Sequence, residues 1–164
     1  MSESNADGHS NWNEYLLKAL DSEANRSIGQ FVHLHGQAFA PNSLPKGVGV
    51  GKFGVCFANA YRMLKRHGSS KGLIYVEGYA VSSTSGQAHL HAWCVNKERV
   101  VFDSTWRNAN SYFGIPFKTD YVQEVISQRE RKGDLYFGLL DDWKSGFPLI
   151  SKLGNLEAIW KEEL

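Results

Sequence analysis

Four short segments between residues 53 and 106 decide the fold of this chain. They are GVCFANAY at 54–61, YVEGY at 75–79, HLHAW at 89–93 and VVFDSTW at 100–106. Apolar residues recur at helical spacing from Cys56 to Arg66, while residues 73–81, 89–95 and 99–102 are rich in the β-branched and aromatic residues typical of strands. The sequence therefore predicts a helix that begins at Cys56 and is followed by three strands.

The predicted helix and strands carry three groups that can act together. Cys56 supplies a thiol at a helix start, His91 an imidazole on one strand, and Asp103 a carboxylate at the end of the next strand. A cysteine nucleophile needs a base to take its proton and an acidic group to orient that base. The backbone N–H groups of a first helical turn are also free to bind a developing oxyanion. Each residue has a plainer interpretation too, Cys56 as a small core residue and Asp103 as a turn residue.

Alternation along the strand at 89–95 divides its side chains between two faces. His89, His91 and Trp93 fall on one face, and Leu90, Ala92 and Cys94 on the other. The three-residue link at 96–98 is short enough for a hairpin, so this strand and the next are expected to be antiparallel neighbours. We expect His89 to line a cleft without transferring protons.

The order and spacing of these motifs resemble the core of the transglutaminase-like superfamily. The resemblance covers roughly residues 50–110 and implies a papain-like α+β fold, in which the helix bearing the cysteine packs on an antiparallel β-sheet. It implies Cys56 as nucleophile, His91 as base and Asp103 as orienting acid, with substrate contacts from His89, Trp93 and Trp106. The implied reaction is acyl transfer from an amide or thioester carbonyl, as in a peptidase, a deamidase or a transglutaminase, without metal or cofactor.

Members of this superfamily often complete the oxyanion hole with a side chain upstream of the cysteine. The candidates here are Gln30, Gln37, Asn42 and Trp12, on the chemistry of their side chains alone. The Arg-Gly-Gly sequence that precedes the cysteine of arylamine N-acetyltransferases is absent.

Composition restricts the possible partners. The chain has 164 residues, 18 basic and 17 acidic side chains and a formal net charge of +1, which gives no electrostatic footprint for nucleic acid or an anionic membrane. Two cysteines, a polar N-terminus and no long apolar run favour a reduced, cytoplasmic protein. The expected partner is a peptide, protein or small amide substrate, and the oligomeric state is left open.

One domain is expected. Residues 1–10 are predicted to be a disordered leader, and residues 11–164 a single transglutaminase-like catalytic domain. Further helices are predicted at 12–25, 120–131 and 156–164, and further extended segments at 31–34 and 135–140.

Two other functions remain open at this stage. The tripeptides HLH at 33–35 and 89–91 would each present two imidazoles from one strand face, as a zinc or iron site requires. Alternatively, the chain is a non-catalytic protein-binding module that retains the fold.

Overall fold

The computed structural model describes residues 28–134, 137–151 and 156. The described chain is α+β. Its helices are α1 (Ile28–His35), α2 (Cys56–Lys71), α3 (Thr119–Arg131), a 3-10 turn (Trp143–Ser145) and α4 (Pro148–Ser151). Its strands are β1 (Gln37–Phe39), β2 (Ile74–Ser82), β3 (Ala88–Val95), β4 (Val101–Phe102) and β5 (Ala109–Phe117). The leader predicted at 1–10, the helix at 12–25 and nearly all of the helix at 156–164 lie outside the described residues.

The strands form one antiparallel sheet in the order β1-β5-β2-β3-β4. The predicted hairpin is confirmed, since β3 and β4 are antiparallel neighbours. A bridge between Ala40 and Val100, with the Val101 N–H donating to the Ala40 carbonyl at 3.3 Å, joins the two edges of the sheet. The sheet is therefore curled and has an inner and an outer face.

Each face of the sheet has its own core. The larger core lies on the outer face, where α2 and α3 pack against residues such as Tyr75, Ala92 and Cys94. A smaller core, which includes Trp93 and Tyr112, fills the inner face. The predicted alternation along β3 is confirmed by this division.

Helix α2 begins at Cys56, as predicted. Gly54 has a φ of +82°, a left-handed conformation that a glycine adopts without strain, and it turns the chain into the helix. The helical spacing in the sequence reaches Arg66, but the helix continues to Lys71, and Gly72 ends it at a φ of +60° with its N–H donating to the Gly68 carbonyl. One glycine inside a helix costs only about 1 kcal/mol, so Gly68 does not terminate it.

Two predictions outside the central segments differ from the structure, and one strand was not predicted. Residues 31–34, expected to be extended, belong to helix α1. Residues 137–140 are not a strand, and residues 135 and 136 are outside the described part. Strand β5 was not predicted because Gly114 and Pro116 interrupt its pattern. Pro116 is tolerated because it lies beyond the end of β1, which pairs only with residues 112–114.

Candidate active site

His91 and Asp103 form a buried pair between two elements. His91 lies on β3, and Asp103 follows β4, the next strand of the hairpin. The distance from His91 Nε2 to Asp103 Oδ2 is 2.7 Å, and the residues are 2% and 4% exposed. Burial strengthens a charged hydrogen bond of this kind, because little water competes for either group.

The carboxylate of Asp103 accepts three further hydrogen bonds, which fix its orientation. Oδ1 accepts from the backbone N–H groups of Thr105 at 2.8 Å and Trp106 at 3.0 Å. Oδ2 accepts from the Tyr112 hydroxyl of β5 at 2.9 Å. The turn-forming role that the sequence allows for Asp103 is thus real, and it coexists with the bond to His91.

Cys56 stands at the first position of α2, half-buried and not in a disulfide. Its side chain and the His91 imidazole line the same cavity, and the interaction with Cys56 is one of the causes of the raised pKa of His91. Because Asp103 engages Nε2, the ring nitrogen left for the thiol is Nδ1. The residue before the helix is Val55, whose side chain offers no cap to the N–H groups of the first turn.

The surroundings of His91 stabilise its protonated form. Burial opposes a charge on the imidazole, but the hydrogen bond with Asp103 and the electrostatic influence of Asp103 and Cys56 outweigh it. Together they raise the pKa of His91 to about 9. The imidazole therefore holds its proton at neutral pH, as a thiolate–imidazolium pair requires.

Two indoles stack on the His91 ring. Trp106 is close, with 4.2 Å between ring centroids and 17° between planes, and Trp93 stacks at 6.1 Å and 24°. Trp93 is 0% exposed, which leaves it no surface to offer a substrate. The sequence predicts Trp93 as a substrate contact, but its buried ring instead packs in the inner core and stacks on His91. Trp106 is half-buried and reaches the surface.

A cavity of about 790 Å³ opens in front of Cys56 and His91. Phe53, Phe57, Leu90 and Trp106 contribute apolar surface, and residues 82–85 contribute hydroxyl groups. His89 is exposed in the wall, edge-on to Trp106 with 5.7 Å between centroids. This volume lies in the range of small-molecule and peptide side-chain pockets. The structure thus brings Cys56, His91, His89 and Trp106 to one cavity, with Asp103 directly behind.

Asn59 is a site residue that the sequence analysis missed. It is buried, one turn after Cys56 on α2, and its Nδ2 donates to the Lys52 carbonyl at 2.7 Å and to the Thr105 hydroxyl at 2.9 Å. In parallel, the N–H of Gly51 donates to the carbonyl of Ser104 at 2.7 Å. These bonds tie the segment before Cys56 to the segment that carries Asp103. Asn59 lies on the opposite side of the predicted helix from its apolar stripe, so the sequence pattern gives no signal that it is buried.

The upstream candidates for an oxyanion hole are not brought to Cys56. Gln30 is exposed on α1, Gln37 lies on β1, and Asn42 is exposed in the following loop, and none of the three lines the cavity. Trp12 lies outside the described residues. In the described part of the chain, the first-turn N–H groups of α2 are the donors nearest the thiol in sequence.

The two HLH tripeptides lie in different kinds of element. His33 and His35 are on helix α1, where residues two apart point in nearly opposite directions, whereas His89 and His91 share a strand face. The described residues contain no group of three or more His, Cys, Asp or Glu side chains arranged to hold a metal ion.

Cys94 lies on the outer face of β3, away from the cavity. It is 0% exposed, and its thiol donates to the Ala60 carbonyl of α2 at 3.3 Å. Burial raises the pKa of this thiol far above its usual value, so Cys94 stays protonated. Cys94 is therefore buried in the core, whereas Cys56 lines the cavity.

None of the described helices has the length and apolar character needed to cross a membrane. Comparison with protein-family models, with curated proteins and with solved structures found no match for this chain.

Proposed function

We propose that this chain is a cysteine-dependent acyl-transfer enzyme that acts on an amide or thioester carbonyl through Cys56, His91 and Asp103. The observation that carries the proposal is that the Cys56 thiol and the His91 imidazole line the same large cavity, while Asp103 is buried behind them and hydrogen-bonded to His91 at 2.7 Å. A structural cysteine needs neither the imidazole nor the cavity.

The proposed reaction begins with a thiolate at Cys56 and a proton on His91 Nδ1. The Sγ atom attacks the carbonyl carbon, and the oxygen takes the negative charge, which the first-turn N–H groups of α2 are placed to stabilise. His91 then gives its Nδ1 proton to the leaving amine or thiolate, and an acyl-thioester remains on Cys56. Asp103 keeps the other proton on Nε2 throughout.

Water or an amine completes the cycle. Neutral His91 accepts a proton from the incoming nucleophile at Nδ1, the nucleophile attacks the thioester, and Cys56 leaves as a thiolate. Attack by water makes the protein a peptidase or deamidase, and attack by an amine makes it a transglutaminase. A peptide, a protein segment or a small amide suits the cavity, since aromatic side chains border its polar centre.

We also propose that the fold is papain-like and that the chain belongs to the transglutaminase-like superfamily. The support is the packing of a helix that begins at the cysteine against the outer face of a curled antiparallel sheet. The order Cys, His, Asp along the chain and the hydrogen bond from the acid to Nε2 agree with this assignment.

An acylation experiment tests the proposal. The parent protein, incubated with p-nitrophenyl acetate, is expected to release a burst of nitrophenol and to carry one acetyl group on Cys56, located by peptide mass spectrometry. Hydroxylamine should remove the group, as expected for a thioester. Cys56→Ala and His91→Ala should show no burst, and Cys94→Ala is the matched control that should retain it.

Two results would refute this function. One is acetylation of Cys56 that is as fast in His91→Ala as in the parent, which would mean that the thiol reacts without its base. The other is acetylation of Cys94 in preference to Cys56. A non-catalytic binding module would give neither a burst nor an acyl adduct.

A further inference from the structure

A second cavity, of about 320 Å³, lies alongside α2 and shares no lining residue with the first. Lys52, Arg62, Arg66 and His67 line it, together with the chain at 48–51 and Ser104. No Asp or Glu of the described residues is part of its wall. In a chain with a net charge of only +1, this is a local concentration of positive charge.

Helix α2 adds to this concentration. Its sequence, CFANAYRMLKRHGSSK, contains four Lys or Arg residues and no acidic residue. Arg62 and Arg66 are four residues apart, which places them on the same side of the helix. Both are exposed. A concave space lined by basic side chains concentrates positive potential, which favours an anionic ligand.

We propose that this cavity, hereafter the basic cavity, is a binding site for a phosphate or polyphosphate group of a small molecule. The guanidinium group of Arg66, the ammonium group of Lys52 and the imidazole of His67 suit the many acceptor oxygens of such a group, and arginine binds phosphate through two parallel hydrogen bonds. A concave site of this size accommodates a small anion with part of the molecule attached to it, whereas nucleic acid and membranes are bound by extended positive surfaces.

The basic cavity adjoins the framework of the catalytic residues. Its wall includes Gly51, Asn59 and Ser104, which hydrogen-bond the segments before Cys56 and around Asp103 to one another. A bound anion therefore stabilises the loop at 48–52 in the position that supports the active site. The binding itself does not depend on the proposed acyl transfer.

Calorimetric titration of the full chain with pyrophosphate tests the proposal. Saturable binding to one site is expected, with a rise in melting temperature when the site is filled. Arg66→Gln should weaken binding by about tenfold, the usual effect of losing a hydrogen bond between charged groups. Lys52→Gln combined with Arg66→Gln should weaken it further. Arg131→Gln, an exposed arginine at the end of α3, is the matched control and should bind as the parent does.

Circular dichroism without ligand checks that the variants fold, as expected for exposed side chains. Three results would overturn the proposal: no saturable pyrophosphate binding, binding no tighter than that of sulfate at equal ionic strength, or equal binding by Arg66→Gln and the parent. Vesicles of phosphatidylserine or a short RNA that bind the parent while pyrophosphate does not would likewise overturn it, in favour of an extended surface.

Discussion

Tyr112 and His91 donate hydrogen bonds to the same oxygen, Oδ2 of Asp103, at 2.9 and 2.7 Å. Tyr112 lies on β5 and His91 on β3, with β2 between the two strands, so the carboxylate joins distant parts of the curled sheet. Burial, together with the nearby negative charge of Asp103, raises the pKa of the Tyr112 hydroxyl, which therefore remains a donor at neutral pH. We expect Tyr112 to be a positioning residue that acts through Asp103.

Tyr112→Phe tests this relationship. It removes the hydroxyl donor without changing the ring. Oδ2 of Asp103 then accepts a hydrogen bond from His91 alone, and this bond to the imidazolium becomes stronger. We expect kcat to fall severalfold with KM little changed, and the alkaline limb of the pH profile to move to higher pH, because the pKa of His91 rises further. Tyr121→Phe, on α3, is the control. An unchanged pH profile in Tyr112→Phe would leave Tyr112 with a packing role only.

Asp103→Asn is expected to lower kcat far more than Tyr112→Phe does. The reason is the hydrogen-bond geometry around the carboxylate. Oδ1 accepts two backbone N–H groups, so the amide oxygen of the asparagine must occupy that position and its NH₂ group must face His91. Nε2 then has to accept, which puts the ring proton on Nδ1 and leaves no base for the incoming nucleophile. We expect a loss of about 10³- to 10⁴-fold in kcat, the scale known for a wrong tautomer in a triad.

Steady-state rates measured beside Asp120→Asn, an exposed carboxylate on α3, check this expectation. A loss of less than tenfold in Asp103→Asn would show that the amide can present its oxygen to His91 and that the two backbone bonds do not control its orientation.

The sequence was informative where structure depends on neighbouring residues. The start of α2 at Cys56, the alternation on β3 and the β3–β4 hairpin all follow from spacing within a few residues, and the structure confirms them. The position of Asp103 next to His91 follows from the same hairpin, because antiparallel pairing returns the chain to its neighbour.

The parts that could not be predicted depend on contacts between distant residues. Asn59 meets Thr105 across 46 positions, and Glu77 meets Leu139 across 62, and neither pair has a local signature. Strand β5 contributes Tyr112 although its Gly and Pro residues argue against a strand. Gly114 is required there because a side chain would collide with the ring of Trp93, a reason visible only in the packed sheet.

Thiol labelling tests the thiolate–imidazolium pair. Because the pKa of His91 is raised to about 9, the imidazole is charged at pH 6, and a neighbouring positive charge favours the thiolate form that reacts with iodoacetamide. An ordinary thiol, with a pKa of about 8.5, is almost entirely protonated at that pH and reacts slowly. We expect iodoacetamide to label Cys56 faster in the native protein at pH 6 than in the denatured protein, as read by peptide mass spectrometry.

The labelling experiment contains its own controls. Cys94, buried and protonated, should stay unlabelled in the native protein, and His91→Ala should return Cys56 to the pH dependence of a free thiol. Equal rates for native and denatured protein at pH 6, with no response to the loss of His91, would mean that the pair does not form.

Cys94→Ser is expected to reduce stability and not turnover. The thiol of Cys94 fills space between β3 and α2 and donates to the Ala60 carbonyl at 3.3 Å. A hydroxyl is smaller and held on a shorter bond, so it leaves a gap and makes a poorer hydrogen bond in an apolar core. The free energy of unfolding should fall by about 1–3 kcal/mol in urea denaturation. A loss of kcat at unchanged stability would instead implicate Cys94 in the reaction.

Glu77 holds the chain after α3 against the sheet. It lies on the outer face of β2 and is 0% exposed. Its Oε1 accepts from the Tyr75 hydroxyl and the Leu139 N–H, both at 2.7 Å, and its Oε2 accepts from the Leu140 N–H at 3.0 Å. A side chain at Gly138 would lie 3.0 Å from both Glu77 and the ring of Phe57, the residue after Cys56. The segment at 138–140 thus packs beside the start of α2.

Glu77→Gln should destabilise the protein by an amount that depends on pH. The amide NH₂ group must face a backbone N–H or the Tyr75 hydroxyl, so we expect a loss of about 1–3 kcal/mol in the free energy of unfolding.

Burial raises the pKa of Glu77 above its ordinary 4.5, against the lowering effect of the Leu140, Leu139 and Tyr75 donors and of the Arg129 charge. Above pH 4.5 the native state therefore binds more protons than the unfolded state, and the contribution of Glu77 to stability declines as the pH rises through its folded pKa. Glutamine does not titrate, so the difference between the parent and Glu77→Gln should be largest near pH 4.5 and should narrow toward neutral pH. Urea denaturation of both proteins across this range measures the difference, in which the titration of all other groups cancels. A difference that widens with rising pH would mean that the folded pKa of Glu77 lies below its ordinary value and that its hydrogen bonds outweigh burial.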